Sequence, residues 1–202
     1  MDIFEAMETC RAIRRLKPDP VPDDLLQKLV HYATRAPSAG NSQLWSFLVV
    51  TDPEDRKFIG KVLTDVMGPR FANMPEDDGS QQARVGRTFR DLVLGFERVP
   101  AVIFPCVANG YPATTPDPIF MWSTIYPATQ NLLLAARALG LGAAMTTFHH
   151  INEPAIKEHF GIPEDIFIGA TIPVGYPIGK YGPLGRRPDA EVTFWNRWNA
   201  TR

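Results

Sequence analysis

Apolar residues recur at helical spacing in several stretches of the chain. In the longest stretch, from Ser123 to Leu139, they predict a largely buried helix that is closed by Gly140. In an earlier stretch, Asp23 can cap a helix that Pro37 ends. The spacing predicts five helices in all, over residues 2–9, 23–36, 54–64, 123–139 and 153–160.

Runs of β-branched and aromatic residues alternate with these helices and predict four strands, over 45–50, 99–107, 142–148 and 166–174. Pro100 and Pro105 should limit the pairing of the second strand, because proline donates no ladder hydrogen bond. Residues 68–88 and 111–118 lack a periodic pattern and are expected to be loops. Since helices and strands interleave without a regular βαβ rhythm, the order favours a mixed α+β layer architecture.

Composition narrows the class of protein. The 202 residues suit one domain over 1–202, and a hydrophobic content of 45% allows a sizeable core. With 21 basic against 22 acidic side chains, no basic field is available for nucleic acid. No signal peptide or membrane-length apolar run is visible, and Cys10 and Cys106 are too isolated for a disulfide framework. A reduced, cytoplasmic protein is the expectation.

The first candidate for chemistry is a basic segment that contains Arg11, Arg14, Arg15 and Lys17. Guanidinium groups match phosphate oxygens with paired hydrogen bonds, so the segment could bind a phosphate. From the spacing alone, a solvated basic stretch is the favoured interpretation. A second basic pair, Arg186 and Arg187, could complete a phosphate site if the fold returns it to the first.

Two segments of small residues could approach a flat ligand. The loop over 36–43 combines Pro37, Gly40 and several amide and hydroxyl groups, although it is also an ordinary turn. Residues 138–147 contain Gly-Leu-Gly, but this follows a helix instead of opening one, which disfavours a dinucleotide fingerprint. We expect these small residues to let the following strand lie close to a planar group.

Other catalytic classes find little support. The four histidines show no HxxxH, HExxH or Cys/His spacing, so the sequence predicts no catalytic metal. Ser38 lacks the flanking glycines of a nucleophile elbow, and there is no Walker loop.

Five segments, taken in order, resemble the FMN-dependent nitroreductase family. They are Cys10–Leu16, Pro37–Trp45, Asn131–Gly142, Pro173–Pro177 and Arg186–Pro188, and the similarity spans nearly the whole chain except residues 60–120. The resemblance implies an α+β, nitroreductase-like fold with a central, mainly antiparallel sheet flanked by helices. It also implies an intertwined homodimer that holds FMN at its interface.

The same resemblance implies a set of cofactor-binding residues. Arginines near both ends of the chain would hold the flavin phosphate, Ser38 and Asn41 would reach the flavin from the other subunit, and a backbone N–H near Met145–Thr147 would meet flavin N5. The expected set is Arg11, Ala12, Arg14, Pro37, Ser38, Asn41, Thr146, Thr147, Arg186 and Arg187.

This sequence departs from the family pattern at Cys10-Arg11-Ala12, where Arg-Arg-Ser is common, and at Leu44, where proline is common. If the basic segment is extended, residues 10, 12 and 14 share a side, and one guanidinium and one hydroxyl are missing from it. The first departure leaves open which arginines contact the phosphate.

The implied reaction passes a hydride from NAD(P)H through bound flavin to a nitroaromatic, a quinone or a similar small electron acceptor, with no side chain as obligate acid or base. The alternatives are an enzyme of the same fold that fragments flavin, and a non-catalytic FMN-binding protein. We expect substrate choice to depend on residues 68–122, where Phe71, Phe120 and Trp122 could form a flexible lid or could simply be packing residues.

Overall fold

A five-stranded sheet lies at the centre of the computed structural model, which describes residues 1–71, 74 and 78–201. The strand order is β1-β2-β5-β3, β4 pairs with β2, and all four pairings are antiparallel. The strands are β1 (Trp45–Val50), β2 (Ala101–Ala108), β3 (Gly142–Ala143), β4 (Ile166–Ile168) and β5 (Ile172–Gly175). The predicted antiparallel sheet is thereby confirmed.

Helices cover both faces of this sheet. They are α1 (Ile3–Thr9), α2 (Asp23–Ala33), α3 (Pro53–Phe71), α4 (Gln81–Leu94), α5 (Pro118–Ala138) and α6 (Glu153–Phe160). Short 3₁₀ turns lie at Ala39–Asn41, Phe96–Arg98, Phe148–Ile151 and Asp189–Glu191. Within the described part of the chain, every helix is too short or too polar to cross a membrane.

The alternation of β2 divides the core into two layers. Ala101 and Ile103 face a cluster formed with α2 and α5, whereas Val102, Phe104 and Cys106 face a cluster formed with α3, α4 and α6. Successive side chains of a strand point to opposite faces, so one buried strand serves both layers. This explains why β2 is apolar throughout and does not alternate with polar residues.

The predicted loop over 68–88 is in part helical. Helix α3 continues to Phe71 and buries Ile59 and Leu63. Pro69 lacks an N–H and so removes one intrahelical hydrogen bond, only two residues before the helix ends. Helix α4 includes residues 81–88 of the same region and begins where the Ser80 hydroxyl accepts the N–H of Ala83 at 3.0 Å. The predicted loop residues 72, 73 and 75–77 lie outside the described residues.

Several predicted boundaries are wrong for local reasons. Helix α5 begins at Pro118 because Asp117 caps it, accepting the N–H of Ile119 at 2.9 Å. Helix α2 has Pro22 at its N-cap and no side-chain cap, so Asp23 lies in the first turn instead of capping it. An acidic residue is still favourable there, near the positive end of the helix dipole.

The strands differ from prediction for tertiary reasons. Pro105 lies in the central strand, as predicted, opposite Phe47 of β1, and its carbonyl accepts the N–H of Gly169 at 2.7 Å. The predicted strand 166–174 is broken at 169–171, where three residues lie opposite only two residues of β2, Phe104 and Pro105, as in a bulge. Thr171 exchanges backbone hydrogen bonds of 2.9 and 3.1 Å with Thr146. The predicted strand 142–148 is correspondingly reduced to β3 and this isolated bridge.

Candidate functional site

The basic segment runs along the edge of the sheet. Ile13 donates its N–H to the carbonyl of Ala143 at 2.9 Å, and Lys17 donates to the carbonyl of Tyr176 at 2.8 Å. Leu16 forms an antiparallel bridge with Pro177, and Ile178 donates to the carbonyl of Arg15 at 2.9 Å. These bonds fix the backbone of the segment between β3 and the residues that follow β5.

Gly142 allows the segment to approach so closely. A Cβ at this position would lie 2.7 Å from Ile13 Cγ2 and 2.8 Å from Leu16 Cδ2, which real Cβ contacts do not tolerate. The small residues expected to face a planar ligand therefore face two aliphatic side chains at this position. Ile13 and Leu16 are three residues apart, so the segment does not follow the strict alternation assumed for residues 10, 12 and 14.

Arg14 lies at a cavity of about 480 Å³. Burial lowers the pKa of its guanidinium, which nevertheless remains charged at neutral pH. The lining residues come from four parts of the chain and are Arg14, Met67, Phe89, Met145, Thr146, Thr147, Phe148 and Ile151. The structure thus brings three expected site residues, Arg14, Thr146 and Thr147, into one cavity.

The backbone N–H groups of Thr146 and Thr147 differ in whether they are free to bind a ligand. Thr146 donates its N–H to the carbonyl of Thr171 at 3.1 Å, and its hydroxyl donates to the same carbonyl at 2.7 Å. Its N–H is therefore already used. The N–H of Thr147 has no backbone partner among the described residues, and Thr147 is exposed at the cavity. Of the two threonines, Thr147 retains the free donor.

The basic segment carries charge that the described residues do not neutralise. Within residues 1–71, 74 and 78–201, no carboxylate forms an ion pair with Arg11, Arg14 or Arg15. Arg11 and Ala12 are exposed, next to the half-buried Arg14. Clustered guanidinium groups without acidic partners match an anion with several acceptor oxygens. This donor set fits the phosphate of a flavin nucleotide.

The C-terminal arm, residues 179–201, is anchored beside the basic segment. The hydroxyl of Tyr181 donates to the carbonyl of Leu141 at 2.5 Å, and Leu184 donates its N–H to the carbonyl of Glu8 at 3.2 Å. Further along, Arg186 and Arg187 are exposed, and Arg186 bonds only to the neighbouring carbonyl of Gly185 among the described residues. The chain therefore brings the start of the arm, though not the arginine pair itself, into contact with the segment before Arg11.

Arg137, which the sequence analysis missed, contacts both the end of α1, at Thr9, and the C-terminal arm, at Tyr181. Its guanidinium carbon lies 4.2 Å from the centre of the Tyr181 ring, and its Nε donates to the Thr9 hydroxyl at 2.9 Å. Burial raises the pKa of Tyr181 to about 12, and burial also raises the pKa of Cys10, with Arg137 opposing the rise for both groups. The family commonly has arginine at the position of Cys10. In this chain the cation close to that position is Arg137 of α5.

The loop over 37–43 lies in a different part of the subunit. The N–H of Ala39 donates to the Thr124 hydroxyl of α5 at 3.1 Å, and a Cβ on Gly40 would collide with the ring of Tyr111 at 2.3 Å. Ser38 accepts the N–H of Gln43 at 3.2 Å, Asn41 is exposed with a positive φ of 53°, and Pro37 is exposed. The loop thus contacts α5 and Tyr111, and none of its residues lines the Arg14 cavity.

The three aromatic residues proposed for a lid do not form one group. Phe71 packs edge-on against Phe89, at 6.0 Å between ring centres, and so lies next to the cavity. Phe120 contacts Tyr111 beside the loop over 37–43, and Trp122 stacks on Tyr126. Met67, Phe89, Phe148 and Ile151 were also missed as cavity residues, since the first two lie in the region without family similarity.

Comparison with known proteins identifies the class. The sequence model of the Nitroreductase family matches residues 8–176. A Methanothermobacter thermautotrophicus protein, provisionally named NADH dehydrogenase/NAD(P)H nitroreductase, is 30% identical over 184 residues, covering 90% of this chain and 81% of that protein. The 5,6-dimethylbenzimidazole synthase of Rhodospirillum rubrum is 27% identical over 191 residues, covering 92% and 84%.

Among solved structures, an iodotyrosine deiodinase bound to FMN and 3-iodo-L-tyrosine has a TM-score of 0.75 at 20% identity, with 98% of this chain and 100% of that chain covered. The fold is therefore nitroreductase-like. Because the family model matches most of its length, the chain belongs to the nitroreductase family, and the resemblance of its motifs is confirmed. This membership and the names of the relatives support an oxidoreductase.

Proposed function

We propose that this protein is an FMN-dependent oxidoreductase that passes reducing equivalents from NAD(P)H to a small electron acceptor, such as a nitroaromatic or a quinone. One observation carries the proposal. Arg14, which forms no ion pair with a carboxylate among the described residues, lines a cavity whose other walls are residues Met145–Phe148 and apolar side chains. A guanidinium group beside apolar walls suits a phosphate attached to a flat ring system.

Each part of the site has a proposed role. Arg14, with Arg11 and the backbone at Ala12, would hold the phosphate, and Arg186 and Arg187 would complete its neutralisation. The free N–H of Thr147 would donate to the ring system, while Met67 and Phe89 would keep water from that side. Bound FMN would supply the hydride chemistry, accepting from NAD(P)H and delivering to the acceptor.

We further propose a homodimer in which Pro37, Ser38 and Asn41 of one subunit reach the cofactor of the other. Apolar residues of α1 support an interface, since Phe4 is 72% exposed and Ile3 is 54% exposed. A second support comes from Trp198 of the arm, which is 82% exposed. Exposed aromatic and aliphatic side chains at this density are typical of a surface that another chain covers.

An anaerobic titration tests the reaction. The purified protein should be yellow, with an absorbance spectrum of bound flavin and a mass in solution of two chains. Addition of NADH or NADPH should bleach the spectrum, and addition of a nitroaromatic or a quinone should restore it. A colourless monomer that does not bind added FMN would contradict the proposal. If the flavin is never bleached, a non-catalytic flavin-binding protein is the better explanation.

A flavin-fragmenting enzyme is the second candidate, and the similarity to a 5,6-dimethylbenzimidazole synthase favours it. The two functions differ in the fate of the flavin after reduction. For the reductase, the flavin spectrum returns fully when oxygen is admitted. For the fragmenting enzyme, admission of oxygen to the reduced protein destroys the flavin, and mass spectrometry of the released small molecules would detect the benzimidazole product.

A further inference from the structure

Two histidines and a carboxylate meet outside the cavity residues named above, at the junction of the Phe148–Ile151 turn and α6. One potential ligand atom from each of His149, His150 and Glu153 lies within 4.8 Å of the other two. We propose that these three side chains bind a first-row divalent metal ion, and that Zn²⁺ fits them best. This site is separate from the proposed flavin function.

The distance between two of the ligands already suits a metal. His150 Nδ1 lies 3.4 Å from Glu153 Oε2. In a tetrahedral zinc site with bonds near 2.0–2.1 Å, ligand atoms are about 3.3 Å apart. The largest separation in the cluster is therefore about 1.5 Å too long for this geometry. The side chain of His150 is 65% exposed and can make that adjustment.

His149 supplies the independent observation that points to a ligand. The residue is only 1% exposed, and its Nε2 is buried without a hydrogen-bond partner among the described residues. A buried, unpaired polar nitrogen is unfavourable by roughly 1–3 kcal/mol, so it needs a compensating partner.

Residues around the cluster orient its members. The Thr171 hydroxyl lies 3.2 Å from His149 Nδ1 and also accepts the backbone N–H of His149 at 3.0 Å. This leaves Nε2 as the atom that can bind a metal. Lys157 Nζ lies 3.8 Å from Glu153 Oε1, which leaves Oε2 facing His150. A hydrogen-bonded second ring nitrogen and a supported carboxylate are typical of residues that ligate metals.

The choice of Zn²⁺ follows from the ligand types. Two imidazoles and one carboxylate form a catalytic-type zinc set with one open position, whereas Mg²⁺ and Ca²⁺ prefer oxygen ligands alone. The spacing, His-His-x-x-Glu, is not one of the motifs that the sequence analysis considered. A bound ion would link the turn at residues 148–151 to Glu153, the first residue of α6. The same turn contributes Phe148 and Ile151 to the cavity wall.

The test uses the full-length protein, treated with EDTA and then dialysed. Zn²⁺ is titrated against a chromophoric chelator, and Co²⁺ is added separately to record its absorption spectrum. We expect one Zn²⁺ per chain and the intense visible bands of four-coordinate Co²⁺. Glu153→Gln and His150→Ala should each weaken Zn²⁺ binding by about 100-fold, and Thr171→Val, which removes only the supporting hydroxyl, by about 10–100-fold.

His159→Ala is the matched control, because His159 also pairs with a carboxylate, Asp55, at 2.8 Å. It should leave Zn²⁺ affinity unchanged, and circular dichroism of every variant checks that it folds. Equal affinity in the wild type, Glu153→Gln and His150→Ala would overturn the proposal, as would Mg²⁺ competing with Zn²⁺ at similar concentrations. Flavin content is measured in the same samples, so that loss of the metal site and loss of the flavin site are distinguished.

Discussion

At the scale of single residues, Arg14 differs from the other cations of the basic segment in being half-buried at the cavity. Arg11, Arg15 and Lys17 are exposed, so each remains free to exchange its contacts with water. A guanidinium held partly out of water binds an anion more strongly than an exposed one. Arg14 is therefore the residue on which the proposed phosphate contact depends most.

Replacement of this residue gives the first prediction. Arg14→Ala should weaken FMN binding by about 1.5–3 kcal/mol, or roughly 10- to 150-fold, the usual contribution of hydrogen bonds to a charged group. Lys17→Ala is the control, because it removes an exposed cation from the same segment and leaves the backbone bond to Tyr176 intact. Flavin fluorescence on titration of the apoprotein measures both affinities. Equal effects of the two variants would mean that general charge, and not the position of Arg14, attracts the cofactor.

The two cysteines give a second prediction at this scale. Burial raises the pKa of Cys106 to about 12, although Lys157 opposes the rise, so at pH 8 roughly one part in ten thousand is the reactive thiolate. Cys10 is only half-buried, and its pKa is also raised. In native protein at pH 8, a thiol reagent should label one cysteine slowly and the other not at all, and Cys10→Ser should abolish the slow phase. Rapid labelling of two cysteines before denaturation would contradict the buried position of Cys106.

At the scale of elements, prediction from sequence succeeded where local signals define both ends. Strand β1 was predicted at 45–50 and helix α6 at 153–160, and both agree with the structure. Asp52-Pro53 ends the first, while Asn152 caps the second and Gly161, with a φ of 62°, closes it. In contrast, the break at residues 169–171 depends on the register in which β4 and β5 pair with β2, which is far away in sequence. No local pattern could have predicted it.

In the candidate site, too, residues in local sequence motifs were predicted and residues brought together from distant segments were not. Arg14, Thr146 and Thr147 were selected from family motifs, and the structure brings them to one cavity, while their role in binding flavin stays a prediction. Met67 and Phe89 were missed, because they lie on helices whose sequence carries no family motif. Arg137 was missed because its partners, Thr9 and Tyr181, come from opposite ends of the chain. Contacts between distant segments are the part of a site that cannot be predicted from a single sequence.

The packing of the basic segment on β3 leads to the third prediction. Gly142→Ala places a Cβ against Ile13 and Leu16 at distances below 3.0 Å, so the segment must move away from the sheet. We expect a loss of about 1–3 kcal/mol in the free energy of unfolding, the usual cost of overpacking, together with weaker FMN retention. Gly182→Ala is the matched control, since nothing lies within 4 Å of its Cβ. Chemical denaturation measures stability, and a stable Gly142→Ala variant with unchanged flavin content would show that the segment does not position the arginines.

At the scale of the whole molecule, the arm extends the subunit beyond its core. Tyr181 and Leu184 attach its start beside α1, but the hydrogen bonds of Glu191, Val192 and Thr193 stay within the arm. An arm with exposed aromatic residues and mainly internal bonds is suited to wrapping around a second subunit. In such a dimer, Arg186 and Arg187 could lie over the phosphate that we propose the basic segment binds.

The arm therefore carries the last prediction. Replacing both Arg186 and Arg187 by alanine should weaken FMN binding by at least about 1–3 kcal/mol, because the pair would supply charge-assisted hydrogen bonds to the phosphate. Arg197→Ala, further along the same arm, is the control and should have little effect. Both proteins should remain dimeric by light scattering, since α1 and the aromatic residues of the arm are untouched. If the double variant retains flavin as the wild type does, the phosphate is held by the basic segment alone, and the arm serves only to join the two subunits.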